Sequence, residues 1–259
     1  MKKFIALFIS LAIILGLSAC ASKLKSDELN HNGKIPDGGI YITGNTPELT
    51  VNKDGTWAVE RNEFAHYYNG GDSFPEIKGG AHFYAYGDYL YEHCFFLLDE
   101  NSNATTSGWR VTVIDDAKEE YGDVLETING APVLFLNHTF ERCINLKVSP
   151  KIPETIIGMN SAFYCCTSLT EVTNIPAGVT DLDDAFAFCD VLTKIPTIPS
   201  SVVKMNGTFE ACFELTNIDI DANPTEFEYC FSLVPKGTLH ITGNCSRETK
   251  DNLMNTANE

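Results

Sequence analysis

Five of the nine cysteines in this chain, Cys143, Cys166, Cys189, Cys212 and Cys230, stand three residues after a phenylalanine and three before a leucine. A thiol can be a nucleophile, a metal ligand or half of a disulfide, so the spacing must say which chemistry is open. No Cys-x-x-Cys occurs, and the vicinal Cys165 and Cys166 leave a helical turn in different directions, which argues against zinc. A residue at one fixed place in a repeat faces the same way in every copy. Buried free cysteine behaves as a small hydrophobe, so the pattern reads as a thiol ladder, with disulfides between neighbouring copies as the alternative. Cys94, Cys165 and Cys245 fall outside this pattern.

The other chemistry-bearing constellation is aromatic. A hairpin with Gly87-Asp88 at its tip sets Tyr86 opposite Tyr89, Tyr84 opposite Tyr91 and His82 opposite His93, all on one side of the ribbon. Flat rings on a rigid sheet stack on sugars, which makes Tyr84, Tyr86, Tyr89 and Tyr91 a candidate glycan platform; the competing reading is cross-strand bracing packed against the first repeat. A metal at His82 and His93 lacks further ligands. Asp115-Asp116 and Glu119-Glu120 read as a solvated turn, and Asp181, Asp183 and Asp184 as capping residues. There is no His-Glu-x-x-His, no Gly-x-Ser-x-Gly and no phosphate-binding glycine loop, so neither an enzyme nor a cofactor is expected.

These groups are positioned by a repeat. Phe140, Phe163, Phe186 and Phe209 recur every 23 residues, each opening Phe-x-x-Cys-x-x-Leu with Leu146, Leu169, Leu192 and Leu215; Phe227, Cys230 and Leu233 read as a fifth, terminal copy. A fixed period of this length indicates a solenoid whose units share one core. Val133, Ile156, Val179 and Val202, with Leu136, Met159, Leu182 and Met205, keep the period as core positions. Asn137, Asn160, Asp183 and Asn206 suit the N-cap of a short helical turn carrying Phe-x-x-Cys. Leu169 to Val172 and Leu192 to Ile195 suit short strands, ended by Pro153, Pro176 and Pro199 in the successive copies. The fold expected is therefore α/β, a solenoid of short strands and helical turns over 131–236, closed by a cap at 237–259. Before it, 37–130 reads as a small β-rich domain with candidate strands at Gly39 to Thr43, Thr56 to Glu60, Ala81 to Tyr86, Tyr89 to Phe95 and Trp109 to Ile114.

The run Asn-x-x-Phe-x-x-Cys-x-x-Leu-x-x-x-x-x-Ile-Pro-x-x-Val resembles the BspA-like class of bacterial leucine-rich repeats. Ile128-Asn129-Gly130-Ala131-Pro132-Val133 and Asp221-Ala222-Asn223-Pro224-Thr225 resemble segments that open and close such arrays, so the likeness covers about 121–257. It implies a leucine-rich-repeat solenoid in a surface protein of host-associated bacteria, with adhesion or ligand binding as its role, and carries no active site. The outward residues of the strand side, Thr170, Glu171, Thr173, Lys194 and Thr197, are then the expected contact surface.

At the N-terminus, Lys2 and Lys3 precede an apolar stretch from Phe4 to Leu15, too short to span a bilayer and shaped like a signal-peptide core. Leu17-Ser18-Ala19-Cys20 matches a bacterial lipobox. Cleavage after 19 leaves Cys20 as the lipid attachment site, with 20–36 as a tether and the protein anchored to the bacterial cell envelope outside the cytoplasm. With 18 basic and 35 acidic residues the net charge is −17, which repels nucleic acid and anionic membrane. The expected function is that of a monomeric cell-surface lipoprotein that binds or adheres through its repeats. The expected partners are the membrane, through the lipid, and a protein or glycan ligand; a glycan-capturing hairpin and a purely structural envelope role are the alternatives.

Overall fold

The computed structural model describes residues 33–61, 63–77, 80–98 and 104–257. The signal segment, Cys20 and most of the tether lie outside them.

The aromatic half of the chain forms a seven-stranded sheet. Its strands are β1 (Ile40–Gly44), β4 (Ala65–Asn69), β5 (His82–Tyr86), β6 (Tyr89–Leu98), β7 (Ala104–Val113), β8 (Thr127–Ile128) and β9 (Ala131–Phe135), in the order β4-β1-β5-β6-β7-β9-β8. A separate ribbon, β2 (Glu48–Val51) with β3 (Trp57–Glu60), pins itself to the β5–β6 tip through Trp57 Nε1, which donates to the Gly87 carbonyl at 2.8 Å. Gly87 itself sits at φ +59°, a conformation that costs glycine nothing. The β2 and β4 strands are additions to the elements read from sequence, and β7 runs five residues further toward its N-terminal end than the segment expected from Trp109.

Strands β1 through β7 pair antiparallel; β9 then pairs with β7 in parallel, Trp109 opposite Val133 and Arg110 opposite Phe135. This is the hand-over from sheet to repeat. Phe135 pairs in parallel with Gly158, Gly158 with Asp181, Asp181 with Lys204, and Lys204 with Glu226. A second parallel row joins Val148, Glu171 and Lys194. Hence the segments Leu169 to Val172 and Leu192 to Ile195 contribute single paired residues to these rows, short of the full strands expected. Each proline opens a turn closed by a bond from the residue three on, as Ile156 N to Pro153 O, Val179 N to Pro176 O and Val202 N to Pro199 O, all at 3.1 Å.

The Phe-x-x-Cys corner departs from expectation. It is not helical: His138, Ser161, Asp184, Gly207 and Tyr229, and again Arg142, Cys165, Phe188, Ala211 and Leu233, have φ between +51° and +65°. Left-handed residues stand at both ends of each five-residue corner, whose alternate amides point out of the coil toward the next one. His138 N, Phe140 N and Arg142 N donate to the carbonyls of Asn160, Ala162 and Tyr164 at 2.7–3.0 Å, and the coils of Phe163, Phe186 and Phe209 repeat the set. No β-branched residue occupies either column, as the left-handed region requires. Two local conformations that L-residues avoid are thus offset by three inter-coil hydrogen bonds.

The same register corrects the fifth copy. Tyr229 and Leu233 hold the left-handed columns, so Phe231 takes the core place that sequence spacing gave to Phe227. The five rings Phe140, Phe163, Phe186, Phe209 and Phe231 form one stack with centroids 5.0–5.7 Å apart and planes within 11° of parallel. We number the coils one to five by these rings. Cys230 replaces Thr208 beside the stack, Phe227 is half-buried, and Leu233 is 44% exposed.

Beyond coil five, β10 (Asn217–Asp219) pairs in parallel with β11 (His240–Thr242), and α1 (Arg247–Met254) is the one α-helix among the described residues. Ser246 caps α1 by accepting from Thr249 N, Leu253 plugs the core, and Thr256 Oγ1 accepts from Phe231 N at 3.0 Å, closing an amide that no sixth coil receives. One hydrophobic cluster runs from Ile35 through every coil to Leu253, so core and sheet both cross residue 130 without a break.

Candidate binding surfaces

The aromatic hairpin has the expected register, with Tyr84 opposite Tyr91 and Tyr86 opposite Tyr89. Its location is the surprise. Tyr84 and Tyr91 are 0% exposed and Tyr89 is 2% exposed, and only Tyr86 is half-buried. Tyr84 stacks on Tyr86 at 5.8 Å and on Tyr91 at 6.2 Å, while Tyr89 meets the first ring of the coil stack, Phe140, edge-on at 6.1 Å. A sugar needs an open aromatic face, so the platform reading of these four tyrosines is corrected: the ladder braces the sheet against coil one. Desolvation pushes the Tyr84, Tyr89 and Tyr91 phenols well above their ordinary range, which keeps them neutral.

The hydroxyls of this ladder tie down the segment 115–125 that sequence reading left as a solvated turn. Tyr89 Oη donates to the Gly122 carbonyl at 2.5 Å, and Leu125 N donates to Tyr91 Oη at 3.2 Å. Asp88 accepts from Gly122 N at 2.7 Å and pairs with Lys118. Tyr121 Oη donates to the Asp115 carbonyl at 2.8 Å and lies 3.3 Å from Cys143 Sγ. Asp88, Tyr121 and Trp57 are working residues that sequence reasoning passed over. Asp88 was visible as a turn residue, but its partners lie about thirty positions away and carry no local signal. His82 and His93 are both buried, with rings 6.4 Å apart, and His82 Nδ1 meets Tyr41 Oη at 2.9 Å. Burial, then the neighbouring His82, lowers the His93 pKa. Among the described residues no group of three or more His, Cys, Asp or Glu side chains is placed to hold a metal.

The strand-side residues are exposed or half-buried, and several are engaged. Glu171 and Lys194 form an ion pair at 2.8 Å. Thr170 Oγ1 donates to the Lys147 carbonyl at 3.0 Å, and Thr173 Oγ1 to the Pro150 carbonyl at 2.8 Å. Thr193 repeats the Thr170 bond one coil on, at 3.3 Å. Thr170, Thr173, Lys194 and Thr197 remain exposed and Glu171 half-buried, and the bridge between Glu171 and Lys194 sets those two side by side on adjacent coils.

The cysteines form the ladder in the core. Cys166, Cys189 and Cys212 are buried free thiols whose Sγ atoms donate to the carbonyls of Phe140, Phe163 and Phe186 in the preceding coil, at 3.0–3.2 Å. Burial pushes the thiols of Cys143, Cys166, Cys189 and Cys212 up, Cys143 to about 11; Cys230, expected as a fifth rung, is likewise buried and raised but stands in the Thr208 column because the last coil is one residue shorter. The asparagine column holds coils together instead of capping helices. Asn137 Oδ1 accepts from Asn160 N at 3.1 Å, Asp183 Oδ1 from Asn206 N and Asn206 Oδ1 from Glu228 N, both at 2.8 Å.

Comparison with known protein families matches the repeat. Residues 135–251 match the family described as BspA type leucine rich repeat region, in six copies. No curated protein matches. Among solved structures the chain is similar to a T. pallidum leucine rich repeat protein, at 19% identity over 59% of this chain and 81% of that one, with a TM-score of 0.38. It is similar also to a leucine rich cell surface protein from Faecalibacterium prausnitzii, at 21% identity over 66% and 56% of the two chains with a TM-score of 0.35. A leucine-rich repeat protein from Bacteroides ovatus follows at 17% identity, 58% and 51% coverage and a TM-score of 0.31. The chain spans about half the length of these last two relatives.

Proposed function

Residues 135–251 are a BspA-type leucine-rich repeat region, and on that premise we propose that the protein is a lipid-anchored binding module of the bacterial cell envelope. The observation that carries the reading is the coil geometry. A continuous buried core and parallel bridges from coil to coil set outward side chains at the spacing of one coil, which is how repeat arrays make extended recognition surfaces. Thr170, Glu171, Thr173, Lys194 and Thr197 supply such a row on the strand side. The lipobox ending at Cys20 supports anchoring, and the excess of acidic residues supports a partner that is neither nucleic acid nor a bare anionic bilayer. Adhesion to a macromolecule is the role proposed; a structural role in the envelope is the outcome to be separated from it.

The test is binding of the purified protein to immobilised fibronectin, laminin, collagen and a set of polysaccharides at physiological salt. Saturable binding to one of them, weakened at least tenfold by the triple substitution Glu171→Ala, Lys194→Ala and Thr197→Ala with unchanged thermal stability, is expected. Silence across the panel, or binding indifferent to those substitutions, removes the strand side as the contact surface.

A further inference from the structure

The coil corners carry a second surface, on the side of the left-handed columns. In coils one and two the outer left-handed position holds Arg142 and Cys165, but in coils three to five it holds the half-buried Phe188, the buried Ala211 and the exposed Leu233. Beside this column stand Val191 and Phe213, with Ile144 at the Phe213 place in coil one, and at the other left-handed corner of coil five stands Tyr229. Phe213 is 48% exposed, Leu233 44%, Val191 38% and Tyr229 67%. Nothing in the repeat demands apolar residues there, because coils one and two satisfy the same backbone with arginine and cysteine. Exposed large apolar groups gathered on one face of a folded protein mark an interaction site.

The surroundings specify the partner's charge. Along the corner segments 183–191, 206–214 and 228–235 stand Asp183, Asp184, Asp190, Glu210, Glu214 and Glu228, with no lysine or arginine. An apolar centre with a rim of one charge sign favours a partner of the opposite sign around its own apolar anchors, and the rim charge governs encounter and salt dependence. We propose that the corner face of coils three to five docks a basic, amphipathic segment of a partner protein, its apolar side on Phe213, Val191 and Leu233 and its lysines or arginines on the acidic rim. The inference rests on the reading of the chain as a binding module, but not on the strand-side row, which lies on different coil positions.

The test uses a synthetic amphipathic helical peptide of leucine and lysine, a scrambled peptide of the same composition, and the glutamate counterpart of the first. Saturable binding of the amphipathic basic peptide to the full protein is expected, falling at least tenfold in Phe213→Ser/Leu233→Ser and weakening as salt rises. Both substitutions are charge-neutral and at exposed positions, so far-ultraviolet circular dichroism and the unfolding midpoint stay as in the wild type. Retention of full affinity by the double variant overturns the proposal, as does equal binding of the scrambled or glutamate peptide. Concentration-dependent dimerisation abolished by the same substitutions, without peptide binding, overturns it in favour of an interface between copies of this chain. Failure here with success on the matrix panel leaves the strand-side reading intact.

Discussion

Removing the middle ring of the phenylalanine stack tests whether the coils share one core. Phe186 is fully buried and stacks on both sides, on Phe163 at 5.7 Å and Phe209 at 5.6 Å. Truncating a buried phenylalanine to alanine costs about 3–5 kcal/mol, through lost transfer energy and the cavity left behind. Each aromatic pair adds about 0.5–1.5 kcal/mol beyond area, and two pairs vanish at once, so Phe186→Ala belongs near the top of that range, about 5 kcal/mol. With a urea m-value of about 2–3 kcal/mol/M, the unfolding midpoint drops by about 2 M. The paired control is Phe213→Ala: Phe213 is 48% exposed, and surface truncations change stability by about 0.5 kcal/mol or less. Urea unfolding followed by tryptophan fluorescence and circular dichroism reads both. A midpoint shift for Phe186→Ala no larger than that for Phe213→Ala would refute the stacked core.

Three further outcomes follow from individual contacts. A Cβ added at Gly207, which has φ +57°, would collide with Asp184 Oδ1, so Gly207→Ala should lose about 2 kcal/mol, with part of the loss restored by adding Asp184→Ala; equal stability of Gly207→Ala and wild type sinks the left-handed assignment of that column. Iodoacetamide at pH 8 should alkylate the partly exposed Cys165 in the folded protein and reach Cys166, Cys189 and Cys212 only in denaturant, read by peptide mass; native-state adducts on those three would contradict the thiol ladder. The Tyr84 hydroxyl is buried without a hydrogen-bond partner among the described residues, so Tyr84→Phe should be neutral or stabilising by up to about 1 kcal/mol in thermal unfolding; a loss of more than about 1 kcal/mol would show that the hydroxyl has an energetic role.

Much of the architecture is legible in the sequence because it is periodic. The core columns at Val133, Leu136 and Phe140 recur with their chemistry intact, and the Tyr84–Tyr91 register follows from one turn glycine and strict alternation. Three features were not legible, each for a physical reason. Phe-x-x-Cys suits a helical turn in residue type, and the two left-handed columns show only as an absence of β-branched residues, a weak signal until the columns are aligned. The fifth coil is one residue shorter, and matching the motif letters picked Phe227 where the hydrogen-bond register picks Phe231. Burial of the tyrosines depends on what lies against the hairpin, and strand β9 brings coil one there through a pairing that no local pattern encodes.

The aromatic ladder lies inside, which leaves the coil exterior as the proposed binding surface, and tyrosine nitration by tetranitromethane, mapped by mass spectrometry, tests this most directly. Tyr229, 67% exposed, should be modified in the folded protein while Tyr84, Tyr89 and Tyr91 stay untouched until it unfolds. Nitration of Tyr84 or Tyr91 at a rate comparable to Tyr229 in the native state would contradict it and return the hairpin to the surface.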